Sequence, residues 1–134
     1  METDEMKERV NIWFKDIFSK RDFSRLEEIV ASDYRDGPNH KGVTGPEFVK
    51  TKYMKLDEIL TNITVDLPDL IAENNKVVAH YTMKATHSGP FLGIEATNKE
   101  FIQEGMTIME FNQEGKINYT YGIYDRQKII QQLS

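Results

Sequence analysis

The chain has no cysteine among its 134 residues, which excludes disulfides, thiolate metal sites and cysteine nucleophiles. Neither the charged start METDEMKERVNIWF nor any later stretch contains an apolar run long enough for a signal peptide or a membrane span. A basic block is also lacking, because 17 Lys and Arg and 22 Asp and Glu are spread along the chain. We therefore expect a cytoplasmic protein that binds neither membranes nor nucleic acid.

Several catalytic and cofactor motifs are absent as well. The sequence has no phosphate-binding glycine loop and no G-x-S-x-G motif, and its 3 histidines lack the spacing of the usual zinc sites. We therefore expect neither a cofactor nor a metal. The length is that of one domain, residues 1–134, which can bury roughly two thirds of the surface of its unfolded chain.

Apolar residues at helical spacing predict three helices in the first half of the chain. The first covers about residues 4–19, the second the stretch FSRLEEIVASDY, and the third runs from GVTGPEF to about Leu60. Two possible capping boxes, Ser24 with Glu27 and Thr44 with Glu47, mark the starts of the second and third helices. The apolar faces of the first and third helices consist of Val10, Trp13, Phe14, Ile17 and Phe18, and of Val49, Tyr53, Leu56 and Leu60.

The second half of the chain alternates polar and apolar residues, which is typical of strands. Strands are predicted over about 62–72, 76–87, 100–111 and 116–124, followed by a short helix in RQKIIQQL. Helices followed by antiparallel strands predict an α+β domain, in which the helices cover one face of a curved sheet. Such a sheet encloses a cone-shaped apolar cavity, where small-molecule sites tend to lie.

The strand at 100–111 is apolar on both faces. One face can line the cavity, but the other needs cover, and the helices supply only one layer. We therefore expect a homodimer that packs sheet against sheet. The two faces consist of Phe101, Met109 and Phe111, and of Ile102, Met106 and Ile108.

Strand alternation also indicates which ionisable residues point into the cavity. In the last strand Ile117, Tyr119, Tyr121 and Ile123 form the apolar set, and Asp125 continues it. In the strand at 76–87 the apolar series runs from Val77 to Ala85 and is continued by His87. Both Asp125 and His87 are therefore candidates for a site in the cavity.

Each of these candidates also has a purely structural reading. Asp125 stands just before the last helix, where an aspartate commonly caps the first amides, and His87 precedes Ser-Gly-Pro, as a turn residue would. A cap contributes about 1 kcal/mol, whereas a carboxylate removed from water costs several kcal/mol unless it is paired. Capping alone therefore accounts for Asp125 only if the residue is solvated.

Three stretches resemble the SnoaL-like polyketide cyclases, also called SnoaL-like ester cyclases, of the nuclear-transport-factor-2-like fold. They are GVTGPEF, DLIAENNKVVAHYTMKATHSGPFLGI and MEFNQEGKINYTYGIYDRQKIIQQL, and the resemblance extends from about Tyr34 to Leu133. Its most specific element is T-x-x-x-x-T-H-x-G-x-F-x-G-I, from Thr82 to Ile94. The second is F-x-x-x-G-K-I followed by an aspartate before a glutamine-rich helix.

The resemblance implies a cystatin-like cone of three N-terminal helices on a curved, mixed and mainly antiparallel sheet, with a short C-terminal helix. It also implies a cofactor-independent aldol-type ring closure on a small apolar or polyketide-like ligand. In that reaction Asp125 would be the general acid/base, and His87 in the pocket, or a tyrosine hydroxyl, would donate to the developing oxyanion. Family members often have a histidine after the tyrosine near residue 34, whereas this chain reads YRDGPNH. The residues we expect to contact substrate are Trp13, Tyr34, His40, Tyr53, Tyr81, Met83, Gln103, Tyr119 and Tyr121.

Two further functions are compatible with the same residues. One is an isomerase, dehydratase or hydrolase that acts on another small carbonyl compound. The other is a non-catalytic dimeric module that binds a small ligand, since members of one fold often differ in chemistry. A carboxylate of Asp125 bonded only to amides of the last helix would favour the binding module.

Overall fold

A five-stranded mixed sheet is the frame of the structure, a computed structural model that describes residues 1–134. The strand order is β1-β5-β4-β3-β2, in which β1 and β5 are parallel and the other neighbours are antiparallel. The predicted α+β class and mainly antiparallel sheet are confirmed. The strands are β1 (Val30–Asp36), β2 (Leu60–Glu73), β3 (Lys76–His87), β4 (Glu100–Phe111) and β5 (Ile117–Tyr124).

Three helical regions precede β2 and one follows β5, as predicted. Helix α1 (Thr3–Asn11) continues without a break into a π-helical segment, Ile12–Ser19, and the short α2 (Leu26–Ile29) leads directly into β1. Helix α3 (Gly45–Leu56) and the C-terminal α4 (Arg126–Leu133) complete the fold. None of the four α-helices, nor the π-helical segment, has the length and apolar character of a membrane span.

The predicted second helix is wrong beyond Ile29, because the residues VASDYRD form β1. This strand pairs in parallel with β5, so that Val30 lies opposite Ile117 and Asp36 lies opposite Thr120. Its hydrogen-bonding partner is more than 80 positions later in the chain, and a local apolar pattern contains no information about that pairing. The strand brings Tyr34 and Asp36 to the concave side of the sheet.

The face predicted for β3 is confirmed, whereas the face predicted for the end of β5 is wrong. Val77, Met83 and His87 are buried, as their common parity requires. In β5 an irregularity leaves Asn118 without a partner, because Glu110 pairs with Tyr119 and Phe111 pairs with Ile117. One extra residue reverses the parity of everything after it.

The concave face after this bulge therefore begins at Thr120, which is buried like Ile117 three residues earlier. Tyr121 and Ile123 lie on the convex face and are exposed. The predicted inward position of Asp125, which rested on the parity of the same series, is consequently wrong.

The core lies between the helices and the concave face of the sheet. Trp13, Phe14 and Ile17 of the π-helical segment are buried there, and they meet Met83 and Met109 from the sheet in one continuous cluster. Burial of such side chains contributes about 1.5–3 kcal/mol each. Trp13, Phe14, Met83 and Met109 also line a cavity next to this core.

Candidate functional site

A cavity of about 410 Å³ lies between the π-helical segment, α3 and the concave face of β3, β4 and β5. Thirteen of the 19 residues that line it are hydrophobic, among them Phe14, Phe18, Leu56 and Met109. This volume is within the range of small-molecule sites. The cavity is therefore the candidate active site.

Six of the nine predicted substrate contacts line this cavity, and three do not. His40, Tyr119 and Tyr121 are absent from its walls. The bulge in β5 places Tyr119 and Tyr121 on the opposite face of the sheet, where Tyr121 is exposed. The six that do line the cavity are Trp13, Tyr34, Tyr53, Tyr81, Met83 and Gln103.

His40 holds the loop after β1 instead of facing the cavity. Its Nδ1 accepts a hydrogen bond from the backbone N–H of Asp36 at 3.0 Å, and its Nε2 donates to the carbonyl of Val43 at 2.8 Å. The ring packs on Phe48 with centroids 4.3 Å apart. Both ring nitrogens are thus used within the loop, and His40 does not line the cavity in which we expected it to contact substrate.

Two tyrosine hydroxyls in the cavity wall have a proton left to donate. The indole N–H of Trp13 donates to the Tyr53 oxygen at 2.7 Å, and the Gln103 amide Nε2 donates to the Tyr81 oxygen at 3.0 Å. Because indole and amide nitrogens are donors only, each tyrosine oxygen accepts and its own O–H stays available. Burial raises the pKa of Tyr53 and of Tyr81, so both hydroxyls remain protonated at neutral pH.

A hydrogen-bonded chain of polar groups forms another part of the wall. The Tyr34 hydroxyl lies 2.6 Å from Oγ1 of Thr120, which donates to Oδ1 of Asp36 over a longer 3.4 Å. Lys52 on α3 donates from Nζ to Oδ2 of the same carboxylate at 2.5 Å. Burial raises the pKa of Tyr34, which therefore stays a neutral donor. This series of hydrogen bonds ends at the Asp36 carboxylate in the cavity wall.

Asp125 lies at an exposed helix start and does not line the cavity. Its Oδ1 accepts a hydrogen bond from the backbone N–H of Lys128 at 3.1 Å, which is the contact of an N-cap. No other side-chain hydrogen bond of this carboxylate occurs within the chain. The geometry therefore supports the structural reading of Asp125, and gives no support to its predicted catalytic role.

His87 is fully buried, but it too lies outside the cavity walls. Its Nδ1 accepts from the backbone N–H of Thr97 at 3.1 Å, which requires the proton of the neutral ring to be on Nε2. Nε2 has no partner within the chain, and the ring lies 6.5 Å from the rings of both Phe91 and Phe101. His87 thus anchors the loop after β3, next to the cavity residue Phe91.

Sequence reasoning missed the ionic pair of the cavity, Asp36 and Lys52. The signal that could have found Asp36 is the alternation of β1, since Tyr34 and Asp36 share one face of a strand. That signal is hidden because the local pattern of the segment predicts a helix followed by a loop. Lys52 has no comparable signal, because a lysine on a helix next to a buried tyrosine is usually solvated.

Comparison with solved structures shows that the fold is shared with proteins of low sequence identity. TsrD from Streptomyces laurentii is similar with a TM-score of 0.87 and 21% identity over 100% of this chain and 98% of that chain. A SnoaL-like polyketide cyclase from Agrobacterium tumefaciens superimposes with a TM-score of 0.84 and 15% identity, covering 100% of both chains.

A third structure shares the fold and was determined with a small ligand. This protein of ketosteroid isomerase-like fold from Catenulispora acidiphila, in complex with trimethylamine, has a TM-score of 0.72 and 17% identity, over 93% of this chain and 91% of that one. No curated protein matches the chain in sequence. The family model for SnoaL-like polyketide cyclases matches residues 8–133. The chain therefore belongs to the SnoaL-like polyketide cyclase family.

Proposed function

We propose that the protein is a cofactor-independent enzyme that closes a ring in a small keto ester or diketone bound in the cavity. The reaction is an aldol-type closure, in which a proton leaves the carbon next to one carbonyl and that carbon attacks a second carbonyl of the same molecule. Family membership supports a cyclase-like or isomerase-like function on a small molecule. The walls of the cavity support the finer chemistry.

The observation that carries the proposal is the pair of neutral hydroxyl donors, Tyr53 and Tyr81, in a mainly apolar wall. An aldol closure creates negative charge first on an enolate oxygen and then on an alkoxide. Donors that are already oriented toward such an oxygen in a dry site stabilise that charge at little cost in reorganisation. Trp13 and Gln103 orient the two hydroxyls in this way, which favours carbonyl chemistry over simple apolar binding.

Turnover of a compound panel tests the proposal. Linear aryl keto esters and diketones are incubated with the protein beside an epoxide and a steroid-like enone. We expect the linear dicarbonyl compounds alone to be converted, each to a ring product of unchanged mass, detected by chromatography with mass spectrometry and by a new carbon–carbon bond in the NMR spectrum. Conversion of only the epoxide or the enone would instead support the hydrolase or isomerase alternative.

A second candidate function is a binding module without chemistry. The observation that favours it concerns Asp125, for which the family resemblance implies a catalytic role. Its carboxylate accepts a hydrogen bond from the Lys128 amide, as a helix cap does, and has no contact that would support catalysis. Quenching of Trp13 fluorescence reports binding directly, because Trp13 is the only tryptophan of the chain and lines the cavity. Tight binding of the panel with no product above the buffer rate would support the module.

We also infer that two copies of the chain pack through the convex face of the sheet. A row of apolar side chains crosses four strands there, from Ile71 through Val78 and Ile108 to Tyr121, and Met106 lies opposite Ile123 in the next row. Ile71, Met106, Tyr121 and Ile123 each expose more than half of their surface. A patch of this kind is typical of an interface.

The charges inside this patch favour a second copy as the occupant. His80 lies between Asp69 and Glu104 at 2.9 and 2.8 Å, and Lys128 lies 3.9 Å from Glu104. Hydrogen bonds to Asp69 and Glu104 raise the pKa of His80, which favours its charged form. Because His80, Asp69, Glu104 and Lys128 are paired with one another, this cluster adds little net charge to the patch, which favours a symmetric interface with a copy of the same face.

The interface is tested by light scattering at micromolar concentration. The wild-type chain is expected to show twice its monomer mass of 15.6 kDa. Ile108→Lys is expected to raise the Kd of the dimer at least about a hundredfold, because each copy then buries an unpaired charge. Met54→Lys is the matched control, since Met54 is similarly exposed but lies on α3. A monomeric wild-type chain, or equal effects of the two variants, would contradict the interface.

A further inference from the structure

We propose that Asp36 is the base that removes the substrate proton, and that Lys52 positions it. This assignment rests on the proposed function. Of the 22 Asp and Glu residues, Asp36 is the only one that lines the cavity. Of the cavity residues other than tyrosines, only Asp36 and Lys52 have ionisable side chains. An aldol closure needs one group that accepts a proton from carbon, so the choice lies between these two.

The ion pair decides between them. Lys52 donates from Nζ to Oδ2 of Asp36 at 2.5 Å, and an ammonium has no lone pair with which to accept a proton. The carboxylate, by contrast, has about four lone-pair positions, of which the chain occupies one on each oxygen. Asp36 therefore keeps acceptor capacity that is free to face a ligand.

The surroundings of Asp36 hold the carboxylate in one place. The backbone N–H of Asp36 donates to Nδ1 of His40. Across the sheet Asp36 pairs with Thr120, whose hydroxyl donates to Oδ1 of Asp36. The Tyr34 hydroxyl donates to Oγ1 of Thr120 at 2.6 Å. The Thr120 proton is therefore directed to the carboxylate of Asp36. Fixed placement within hydrogen-bond reach of the substrate is what a general base requires.

The steps balance without an external reactant. Asp36 takes a proton from the carbon next to a carbonyl, and the electron pair of that C–H bond forms an enolate whose oxygen is stabilised by a tyrosine O–H. The enolate carbon then bonds to the second carbonyl carbon, and the π electrons of that carbonyl move to its oxygen. This alkoxide takes the proton back from the Asp36 carboxylic acid, which restores the carboxylate.

Proton exchange separates this step from ring closure. The probe is 2-tetralone, a bicyclic ketone with acidic protons next to its carbonyl, and its exchange with D₂O at neutral pD is followed by proton NMR. The wild-type protein is expected to accelerate exchange above the buffer rate. Asp36→Asn is expected to lower the protein-catalysed rate at least about a hundredfold, which is the usual contribution of a general base.

Matched variants keep the result specific. Asp125→Asn, at the exposed cap, is expected to stay within about twofold of the wild-type rate, and Asp36→Glu to keep part of it, since its carboxylate is retained but displaced. Lys52→Met is expected to slow exchange about tenfold, and Lys52→Arg, which keeps the positive charge, is expected to restore the wild-type rate. If Lys52 were merely structural, the exchange rate would not require this charge. Quenching of Trp13 fluorescence shows in each variant whether the ketone is still bound.

The outcomes distinguish this proposal from the proposed function. A ketone that binds no form of the protein contradicts the proposed function itself. Binding with wild-type exchange in Asp36→Asn overturns the role of Asp36, and so does a wild-type protein that binds the ketone without accelerating exchange. Loss of exchange in Asp125→Asn but not in Asp36→Asn would transfer the role of base to Asp125.

Discussion

Replacing Tyr81 by phenylalanine is expected to lower kcat about a hundredfold on whichever dicarbonyl compound the protein converts. The reason is that a neutral O–H, oriented by Gln103, disappears from the place where negative charge develops. KM is expected to change little, because the donor binds the charged oxygen of the transition state more strongly than the carbonyl of the substrate.

The fold of the Tyr81→Phe variant is expected to remain intact. The ring still packs against Phe14, whose centroid lies 5.4 Å away, and the freed Gln103 amide is only half-buried and can bind water. Tyr121→Phe on the convex face is the matched control and is expected to leave kcat unchanged. A kcat for Tyr81→Phe within twofold of wild type would remove Tyr81 from the chemistry. An equal fall in both variants would point to a general effect on the fold.

The second large effect is expected from Gly89→Ala, which should lower the free energy of unfolding by about 3 kcal/mol. A Cβ at this position would lie 2.1 Å from the backbone oxygen of Glu58. The amides of Ser88 and Gly89 both donate to the carbonyl of Ile59, at 3.0 and 3.1 Å, so the loop cannot move away without breaking these bonds. The glycine of the T-H-x-G element is therefore required by close backbone approach.

Urea denaturation followed by circular dichroism measures this loss as a shift in midpoint at constant slope. Gly42→Ala is the matched control, because Gly42 also lies in a loop but has open space around its Cβ position. Its φ of +83° still makes alanine unfavourable, by about 1 kcal/mol. Equal destabilisation by the two substitutions would show that the contact with Glu58 contributes nothing.

Local patterns were sufficient for most of the elements. The helical spacing of Val10, Trp13 and Ile17 predicted a helix whose buried side they form, although its second half is π-helical. Four of the five strands were predicted to within about two residues. Such elements are predictable because one buried face imposes its period on the residues that form it.

The candidate site was predictable only in part, and two particular features explain the difference. Six of the expected contacts line the cavity; among them are Tyr53, on α3, and the β3 series, whose pairing with β4 has no bulge. The bulge at Asn118 reversed the remainder of β5 and removed Tyr121 and Asp125 from the cavity. A single extra residue opposite Glu110 leaves no mark in the alternation, since both faces of this strand carry tyrosine and isoleucine.

The sequence by itself determined the α+β class, the order of helices and strands apart from β1, the apolar character of both faces of β4, and the resemblance to the SnoaL-like cyclases. Only the tertiary structure decided which carboxylate faces the cavity. Asp36 reaches the wall because β1 pairs in parallel with β5, at the far end of the chain, and because α3 brings Lys52 to its side. Asp125 stays in solvent as a cap. Local composition specifies each element, but pairing between distant strands decides which side chains meet.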